Sequence, residues 1–215
     1  MRLKHVKGAN EIIQKGIYYI DNPKEYIGSW HKLFNNNNPI YIEIGMGKGD
    51  FIIENALKYQ DINFIGIEKF DSVIVRAIQK SNELELNNLK LIRMDAMEIN
   101  EVFNKEIDKI YLNFSDPWPK ERHAKRRLTS PIFLAKYDTI FRDIPNITMK
   151  TDNNDLFEYS LESLTEYGYD MTMITRDLYS TDISDNIATE YEKKFVKKGI
   201  KINKFIAIKN KKGTK

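Results

Sequence analysis

The segment PIYIEIGMGKGDFIIENALKY, residues 39–59, decides the fold. It begins as a short run of β-branched and aromatic residues, continues through Gly45, Gly47 and Gly49, and adopts a helical pattern from Asp50. This order predicts a strand, a glycine turn and a helix. Glycines at such a turn let the backbone approach a ligand closely.

The same alternation of strand and helix continues along the chain. Further strand patterns are INFIGIE, LKLIRMD, DKIYLNF, NITMKT, YDMTMITRD and IKINKFIAIK, which gives seven strands in all. Helical patterns occupy residues 71–86, 97–104, 131–141, 154–167 and 189–198. We therefore predict an α/β fold with a mostly parallel, Rossmann-like sheet and helices on both faces. Ligands bind such sheets beyond the carboxyl ends of the strands.

The 215 residues suit one domain, which we place at residues 39–209. A polar, partly helical extension at residues 1–38 precedes it, and a basic tail at 210–215 follows. With no cysteine and three scattered histidines, we expect no metal site. Because neither a targeting segment nor an apolar membrane span is apparent, we expect no membrane contact and a cytoplasmic location.

Acidic residues distinguish this glycine turn from a dinucleotide-binding turn. The fingerprint G-x-G-x-x-G requires a third glycine where this chain has Asp50. Glu43 and Asp50 flank the turn and favour a cationic ligand over a pyrophosphate. S-adenosylmethionine carries a sulfonium and an ammonium group, so the turn favours this cofactor over a nicotinamide dinucleotide.

Two more acids follow the next strands. Glu68 ends the second strand, where a carboxylate can accept hydrogen bonds from ribose hydroxyls. Asp95 ends the third and could accept from an adenine amino group. Either acid alone could simply cap a helix. Together with the turn, they resemble the nucleoside site of class I S-adenosylmethionine methyltransferases.

A proline-rich loop, LNFSDPWPKERHAKRRL at residues 112–128, follows the fourth strand. Its prolines fix the backbone around Trp118 and hold Asp116 at the carboxyl edge of the sheet. The stretch KERHAKRR contains five Lys or Arg residues and one acid, a composition suited to RNA phosphates. A rigid surface turn and a solvated charged helix are the alternatives for these two pieces.

The motifs KTDN (150–153) and TEYEKKF (189–195) point to the same crevice. An extracted guanine presents hydrogen-bond donors on its Watson–Crick edge, so carboxylates can read it while an aromatic ring stacks on it. Asp152, Glu190, Tyr191 and Glu192 are residue types suited to that task.

Taken in order, the motifs EIGMGKGDF, FIGIEK, RMDA, YLNFSDPWPK-RH-KRRL, KTDN and TEYEKKF resemble those of the bacterial tRNA (guanine-N7)-methyltransferase family. The resemblance spans roughly residues 39–195. It implies methyl transfer from S-adenosylmethionine to N7 of the variable-loop guanosine at tRNA position 46. It also implies a seven-stranded sheet with an antiparallel last strand. We expect a monomer or homodimer that requires no metal.

The resemblance further implies roles for individual residues, with Asp116 as the catalytic residue. Cofactor contacts would come from Glu43, Gly45, Gly47, Glu68, Asp95 and Asp116. Substrate contacts would come from Lys120, Asp152, Thr189, Glu190, Tyr191 and Glu192. RNA contacts would come from Arg122, His123, Ala124, Lys125, Arg126 and Arg127.

Other functions remain open from the residues alone. A methyltransferase acting on another RNA, a protein or a small molecule fits the glycine turn but leaves the basic stretch and TEYEKKF without a task. A non-catalytic RNA-binding module with a decayed cofactor site is disfavoured because the acids are intact. A nicotinamide-dependent dehydrogenase is disfavoured by Asp50.

Overall fold

The computed structural model describes residues 8–182 and 184–209, so the predicted basic tail at 210–215 lies outside the described residues. Within them, one sheet holds eight strands: β1 (Tyr19–Ile20), β2 (Ile40–Ile44), β3 (Asn63–Glu68), β4 (Leu89–Arg93), β5 (Lys109–Asn113), β6 (Asn146–Thr151), β7 (Asp170–Thr175) and β8 (Asn203–Ile208).

The strands lie in the order β1-β4-β3-β2-β5-β6-β8-β7. Neighbouring strands are parallel except that β8 runs antiparallel to both β6 and β7. The predicted α/β class, the mostly parallel sheet and the antiparallel last strand are therefore confirmed. The strand count of seven is wrong, because β1 adds an eighth strand. With two residues, β1 leaves no pattern in the sequence, and its pairing with β4 is a tertiary contact.

Helices cover both faces of the sheet, as predicted. One face packs against α1 (Ala9–Gln14), α3 (Asp50–Lys58) and α4 (Asp71–Ser81). The other packs against α2 (His31–Phe34), α5 (Pro131–Ile140) and α6 (Asn154–Glu166). The seventh α-helix, α7 (Glu190–Val196), lies next to the glycine turn.

Four short 3-10 helices complete the described secondary structure: Pro23–Tyr26, Ala96–Glu101, Glu121–Arg126 and Leu178–Ser180. The helix predicted at residues 97–104 is thus a 3-10 helix that ends earlier. Val102 and Phe103, which follow this helix, are buried in the core.

Glycine at position 49 allows α3 and α4 to pack closely. Gly49 has a φ of 79° and immediately precedes α3. A Cβ added there would lie 2.7 Å from the Cβ of Ala77 on α4, which is closer than side chains approach one another. The glycine turn therefore serves the packing of the fold as well as any ligand.

The described part of the N-terminal extension packs against the sheet. The Trp30 side chain is fully buried, and its indole N–H donates to the carbonyl of Val102 at 2.9 Å. The carboxylate of Glu106 accepts the backbone N–H groups of Gly28 and Trp30. None of the helices in the described ranges has the length and apolar character needed to cross a membrane.

Candidate active site

Glu68 closes the glycine turn from the end of β3. Its Oε2 accepts the backbone N–H of Gly47 at 3.1 Å, and its Oε1 accepts those of Lys69 and Phe70. Burial raises the pKa of Glu68, these N–H groups oppose the rise, and the charge of Asp116 adds to it. Glu68 and Asp116 thus belong to the same edge of the sheet, at the carboxyl ends of β3 and β5.

Gly45 and Gly47 open toward free space. Both have positive φ, 78° and 60°, and an added Cβ at either would meet no heavy atom within 4 Å. Two hydrogen bonds to the carbonyl of Ile67, from the N–H groups of Gly45 and Met46, fix the start of the turn. A ligand can therefore approach this backbone without meeting a side chain.

Glu43, the fourth residue of β2, is buried, with 1% of its surface exposed. Its Oε1 accepts the Asn113 amide at 2.8 Å, whereas its Oε2 has no hydrogen-bond partner among the described residues. Burial raises the pKa of Glu43 to about 7, although the Asn113 hydrogen bond opposes the rise. A buried carboxylate with an unused acceptor suits a cationic or hydrogen-bond-donating partner.

Asp95 caps the 3-10 helix that follows β4. Its Oδ1 accepts the Met97 backbone N–H at 3.0 Å, and its Oδ2 binds the Lys69 ammonium at 2.6 Å. Partial burial alone would raise the pKa of Asp95, but these two donors hold it below its usual value. Asp95 thus already serves as a helix cap. Its ion pair with Lys69 also connects it to the residue that follows Glu68.

The loop after β5 carries two unusual backbone conformations. Phe114 and Trp118 have positive φ angles of 51° and 42°, which cost free energy in residues with a side chain. Arg127 supports this loop, because its guanidinium donates to the carbonyls of Pro117 and Trp118 at 3.2 and 3.1 Å. Asp116 lies in the chain between Phe114 and Trp118 and is exposed at the carboxyl edge of the sheet.

The predicted RNA-contacting residues divide into two groups. Arg122, Lys125 and Arg126 are exposed, and the Arg126 guanidinium lies 4.8 Å from the Trp118 ring centroid. His123, Ala124 and Arg127 are half-buried; the Arg127 guanidinium stacks on Tyr159, 4.2 Å from its centroid. Lys120 is exposed and immediately precedes the 3-10 helix Glu121–Arg126.

Glu192 anchors α7 to the sheet. Its side chain is fully buried and pairs with Lys150 of β6 at 2.6 Å. It also accepts hydrogen bonds from Tyr179 and Asn186. Thr189 caps α7 by accepting the Glu192 backbone N–H at 2.9 Å, in a capping box. In this conformation Thr189 and Glu192 hold the helix in place, and Glu192 presents no surface to a base.

Tyr191 is the exposed aromatic residue of α7. Its ring stacks on Phe195 at 4.0 Å and lies 4.9 Å from the Phe114 ring. Its hydroxyl donates to Asp152 at 3.3 Å. Burial, and then the charge of Asp152 and this hydrogen bond, raise the pKa of Tyr191. An aromatic surface and a carboxylate thus meet at the carboxyl ends of β5 and β6.

Three residues that the sequence interpretation missed connect these pieces. Lys48, inside the glycine turn, pairs with Glu190 at 2.7 Å and so joins α7 to the turn. Phe114 supplies a ring beside Tyr191, and Lys150 supplies the buried cation for Glu192. The sequence could have indicated Phe114, which is an aromatic residue at a strand end among polar residues. It gave no indication of the ion pairs of Lys48 and Lys150, because their partners are distant in the chain.

The arrangement brings four groups to one edge of the sheet: an acidic glycine turn, an exposed carboxylate at Asp116, an aromatic surface and a basic loop. Within residues 8–182 and 184–209, no three His, Asp or Glu residues cluster in a way that could hold a metal ion. The chemistry of this edge suits a cationic nucleoside and a flat base.

Comparisons with known proteins identify relatives of this chain. A family model described as "Putative methyltransferase" matches residues 37–205. A tRNA (guanine-N(7)-)-methyltransferase of Lachnoclostridium phytofermentans is 48% identical over 213 residues, which cover 98% of this chain and 100% of that protein. Its counterpart in Bacillus cytotoxicus is 52% identical over 204 residues, or 94% of each chain.

Solved structures with low identity share the fold. An antibiotic-related methyltransferase aligns with a TM-score of 0.64 and 16% identity, covering 86% of this chain and 94% of the other. The 16S rRNA methyltransferase KamB aligns with a TM-score of 0.61 and 10% identity, with the same coverage. These likenesses confirm the class I methyltransferase fold.

The family resemblance predicted from the motifs is confirmed by relatives of almost the same length. Identity near one half extends over nearly the whole chain, and the family model covers most of it. The chain belongs to the family of bacterial tRNA (guanine-N(7)-)-methyltransferases.

Proposed function

We propose that this protein transfers a methyl group from S-adenosylmethionine to N7 of a guanine in tRNA, at the variable-loop position 46. The observation that carries the proposal is the ion pair between Lys48 and Glu190 at 2.7 Å. This contact shows that the start of α7, the helix with the exposed Tyr191 ring, lies beside the glycine turn. A base stacked at Tyr191 is then adjacent to a cofactor held at that turn.

Glu43, Gly45, Gly47 and Glu68 are the residues we assign to S-adenosylmethionine. The unpartnered Oε2 of Glu43 and its raised pKa fit a cationic ligand, which would stabilise the charged carboxylate. The open backbone at the two glycines fits a ligand in close contact. Asp95 remains our candidate for the adenine, through acceptor positions that Met97 and Lys69 leave free.

Phe114, Tyr191 and Asp152 fit a guanine. Aromatic rings stack on a splayed base, and a carboxylate accepts from its N1–H and amino groups. Glu190 and Lys120 are further candidates for contact at the rim, where both are exposed. Thr189 and Glu192 we assign to positioning, because their side chains hold α7 in place.

Bound S-adenosylmethionine supplies an electrophilic methyl group on a sulfonium. Guanine N7 carries an in-plane lone pair and no proton at neutral pH, so the protein needs no general base for the attack. Its task is to align N7 with the methyl group and to stabilise the positive charge that passes to the base. We assign that stabilisation to the carboxylate of Asp116, which makes it the catalytic residue.

The exposed cations Arg122, Lys125 and Arg126 suit contacts with tRNA phosphates. The direct test is transfer of a labelled methyl group to bulk tRNA, followed by nucleoside analysis. We expect label only in 7-methylguanosine and only when tRNA is present. Label in protein or in another nucleoside would contradict the proposal.

A further inference from the structure

A cavity of about 280 Å³ lies on the face of the sheet that carries α3. The chain at residues 185–187 covers part of it, and its walls include the aromatic rings of Tyr41, Phe51 and Tyr111. None of the residues assigned above to the cofactor, the guanine or the tRNA lines this cavity. Its lining calls for a separate explanation.

Two cationic side chains line the cavity besides Lys150, which pairs with Glu192. Lys109 and Lys204 line it, and neither forms an ion pair within residues 8–182 and 184–209. The acid that lines it, Asp185, pairs with Lys58 at 3.3 Å. Burial and then the charge of Lys204 lower the pKa of Lys109 to about 8. Burial also lowers the pKa of Lys204, although the charges of Glu192 and Asp185 oppose that change. An anion beside the two ammonium groups would stabilise the charge that burial disfavours.

A buried hydroxyl adds a hydrogen-bond donor. Thr148 is 5% exposed and lines the cavity, and its Oγ1 has no hydrogen-bond partner among the described residues. Buried hydroxyls without a partner are uncommon and costly. The hydroxyl and the two lysines come from adjacent strands of the sheet, β5, β6 and β8.

The walls also select for shape. The Lys109 ammonium lies 4.9 Å from the Tyr111 ring centroid and 5.7 Å from that of Tyr41, so flat apolar surface adjoins the positive charge. The volume is at the lower end of small-molecule pockets. It accommodates a single ring with an acidic group and is too small for a dinucleotide or an RNA strand.

We propose that this cavity binds a small organic anion consisting of one planar ring with a carboxylate or phosphate group. The acidic group lies between Lys109 and Lys204 and accepts a hydrogen bond from the Thr148 hydroxyl. The ring packs against Tyr41 and Tyr111. The cavity adjoins the cofactor residue Glu43 through Asn113, but no residue of its lining is assigned to methyl transfer. The anion site can therefore fail while the function proposed above holds.

Phenyl phosphate and benzoate are suitable probes, with benzyl alcohol as the uncharged control, titrated into the full-length protein by calorimetry. We expect one acid probe to bind with one molecule per chain and to raise the melting temperature. Lys109→Gln and Lys204→Gln should each weaken binding at least tenfold, whereas Lys197→Gln, which changes an exposed lysine outside the cavity, should leave it unchanged.

Thr148→Val keeps the side-chain shape and removes the donor, so it tests the site if a lysine variant fails to fold. We expect it to weaken binding several-fold. Near pH 8 the binding should also take up protons, because an anion raises the pKa of Lys109. Failure of both acids to bind at millimolar concentration would overturn the proposal. Equal binding by benzyl alcohol, or undiminished binding by well-folded lysine variants, would do so as well.

Discussion

The Lys150 ammonium and the Glu192 carboxylate form an ion pair of 2.6 Å in which both side chains are buried. Burial lowers the pKa of Lys150, and the charge of Glu192 opposes that change. The pair joins β6 to α7, the helix that carries the exposed Tyr191 ring. Placement of the proposed guanine-binding surface therefore depends on a contact beneath it.

Glu192→Ala should destabilise the protein by ~3–5 kcal/mol, because it leaves the Lys150 charge buried without a partner. Glu190→Ala is the matched control on the same helix. Its ion pair with Lys48 is exposed, so the loss should be ~0.2–1 kcal/mol. Urea unfolding measures both values. Equal losses in the two variants would contradict a special role for the buried pair.

Glu68→Ala should weaken S-adenosylmethionine binding by ~1–3 kcal/mol, since hydrogen bonds from ribose hydroxyls to a charged acceptor are lost. Loss of its hydrogen bond to the Gly47 N–H should weaken binding further, because the glycine turn is then held less firmly. Calorimetric titration measures the change. Glu98→Ala, which removes an exposed acid paired with Lys24, is the control and should bind normally. Unchanged affinity in Glu68→Ala would remove Glu68 from the cofactor site.

Much of this site was predictable from the sequence, because many of its residues lie at or near the ends of predicted strands. The glycine turn and Asp95 follow strands, Glu68 ends one, and Glu43 is the last residue but one of another. Parallel strands bring their carboxyl ends to one edge. Local pattern also predicted that Thr189 begins a helix, at whose start it forms a capping box. These features need only sequence order and secondary structure.

The remainder depends on contacts between distant residues. Glu192 looks like its exposed neighbours in TEYEKKF, and only its partner Lys150, 42 residues away, shows that it is buried. Arg127 looks like the other cations of its stretch, yet its guanidinium binds backbone carbonyls of the loop. The strand β1 exists only through its pairing with β4.

The two arginines at the end of the basic stretch should differ in their effect on tRNA binding. Arg126→Gln should weaken binding and reduce the slope of log affinity against log salt by ~0.7–0.9, because an exposed phosphate contact is lost. Arg127→Gln should lower the melting temperature, since the loop at Pro117 and Trp118 loses its support. Binding measured over a salt series, together with thermal unfolding, separates the two. An unchanged slope in Arg126→Gln would make that residue part of a solvated surface.

Glu43 should make stability depend on pH. Its pKa is about 7 in the folded chain, above the ordinary value of 4.5, so the folded state keeps a proton that the unfolded state releases. The stability gained from this proton is complete below pH 4.5 and lost as pH rises toward 7, by up to ~1.4 kcal/mol per pH unit. Glu43→Gln should lack this part of the profile in urea unfolding. Parallel profiles for the two proteins would refute the raised pKa.

Asp116→Asn should leave the fold intact and reduce turnover by about a hundredfold, ~2.7 kcal/mol in the barrier. Its side chain is exposed and forms no hydrogen bond or ion pair within the described part of the chain, so stability has little dependence on it. Single-turnover methyl transfer to tRNA and a melting curve measure the two effects. Turnover at the wild-type rate would exclude Asp116 from charge stabilisation.

The most direct test of N7 methylation uses tRNA that carries 7-deazaguanine at the target position. Carbon replaces the nucleophilic nitrogen, while the Watson–Crick edge available to Asp152 and the ring face available to Tyr191 are unchanged. We predict that this tRNA binds with nearly normal affinity and accepts no methyl group at that base, whereas matched tRNA with guanine is methylated. Methylation of the 7-deazaguanine at another atom would contradict the account.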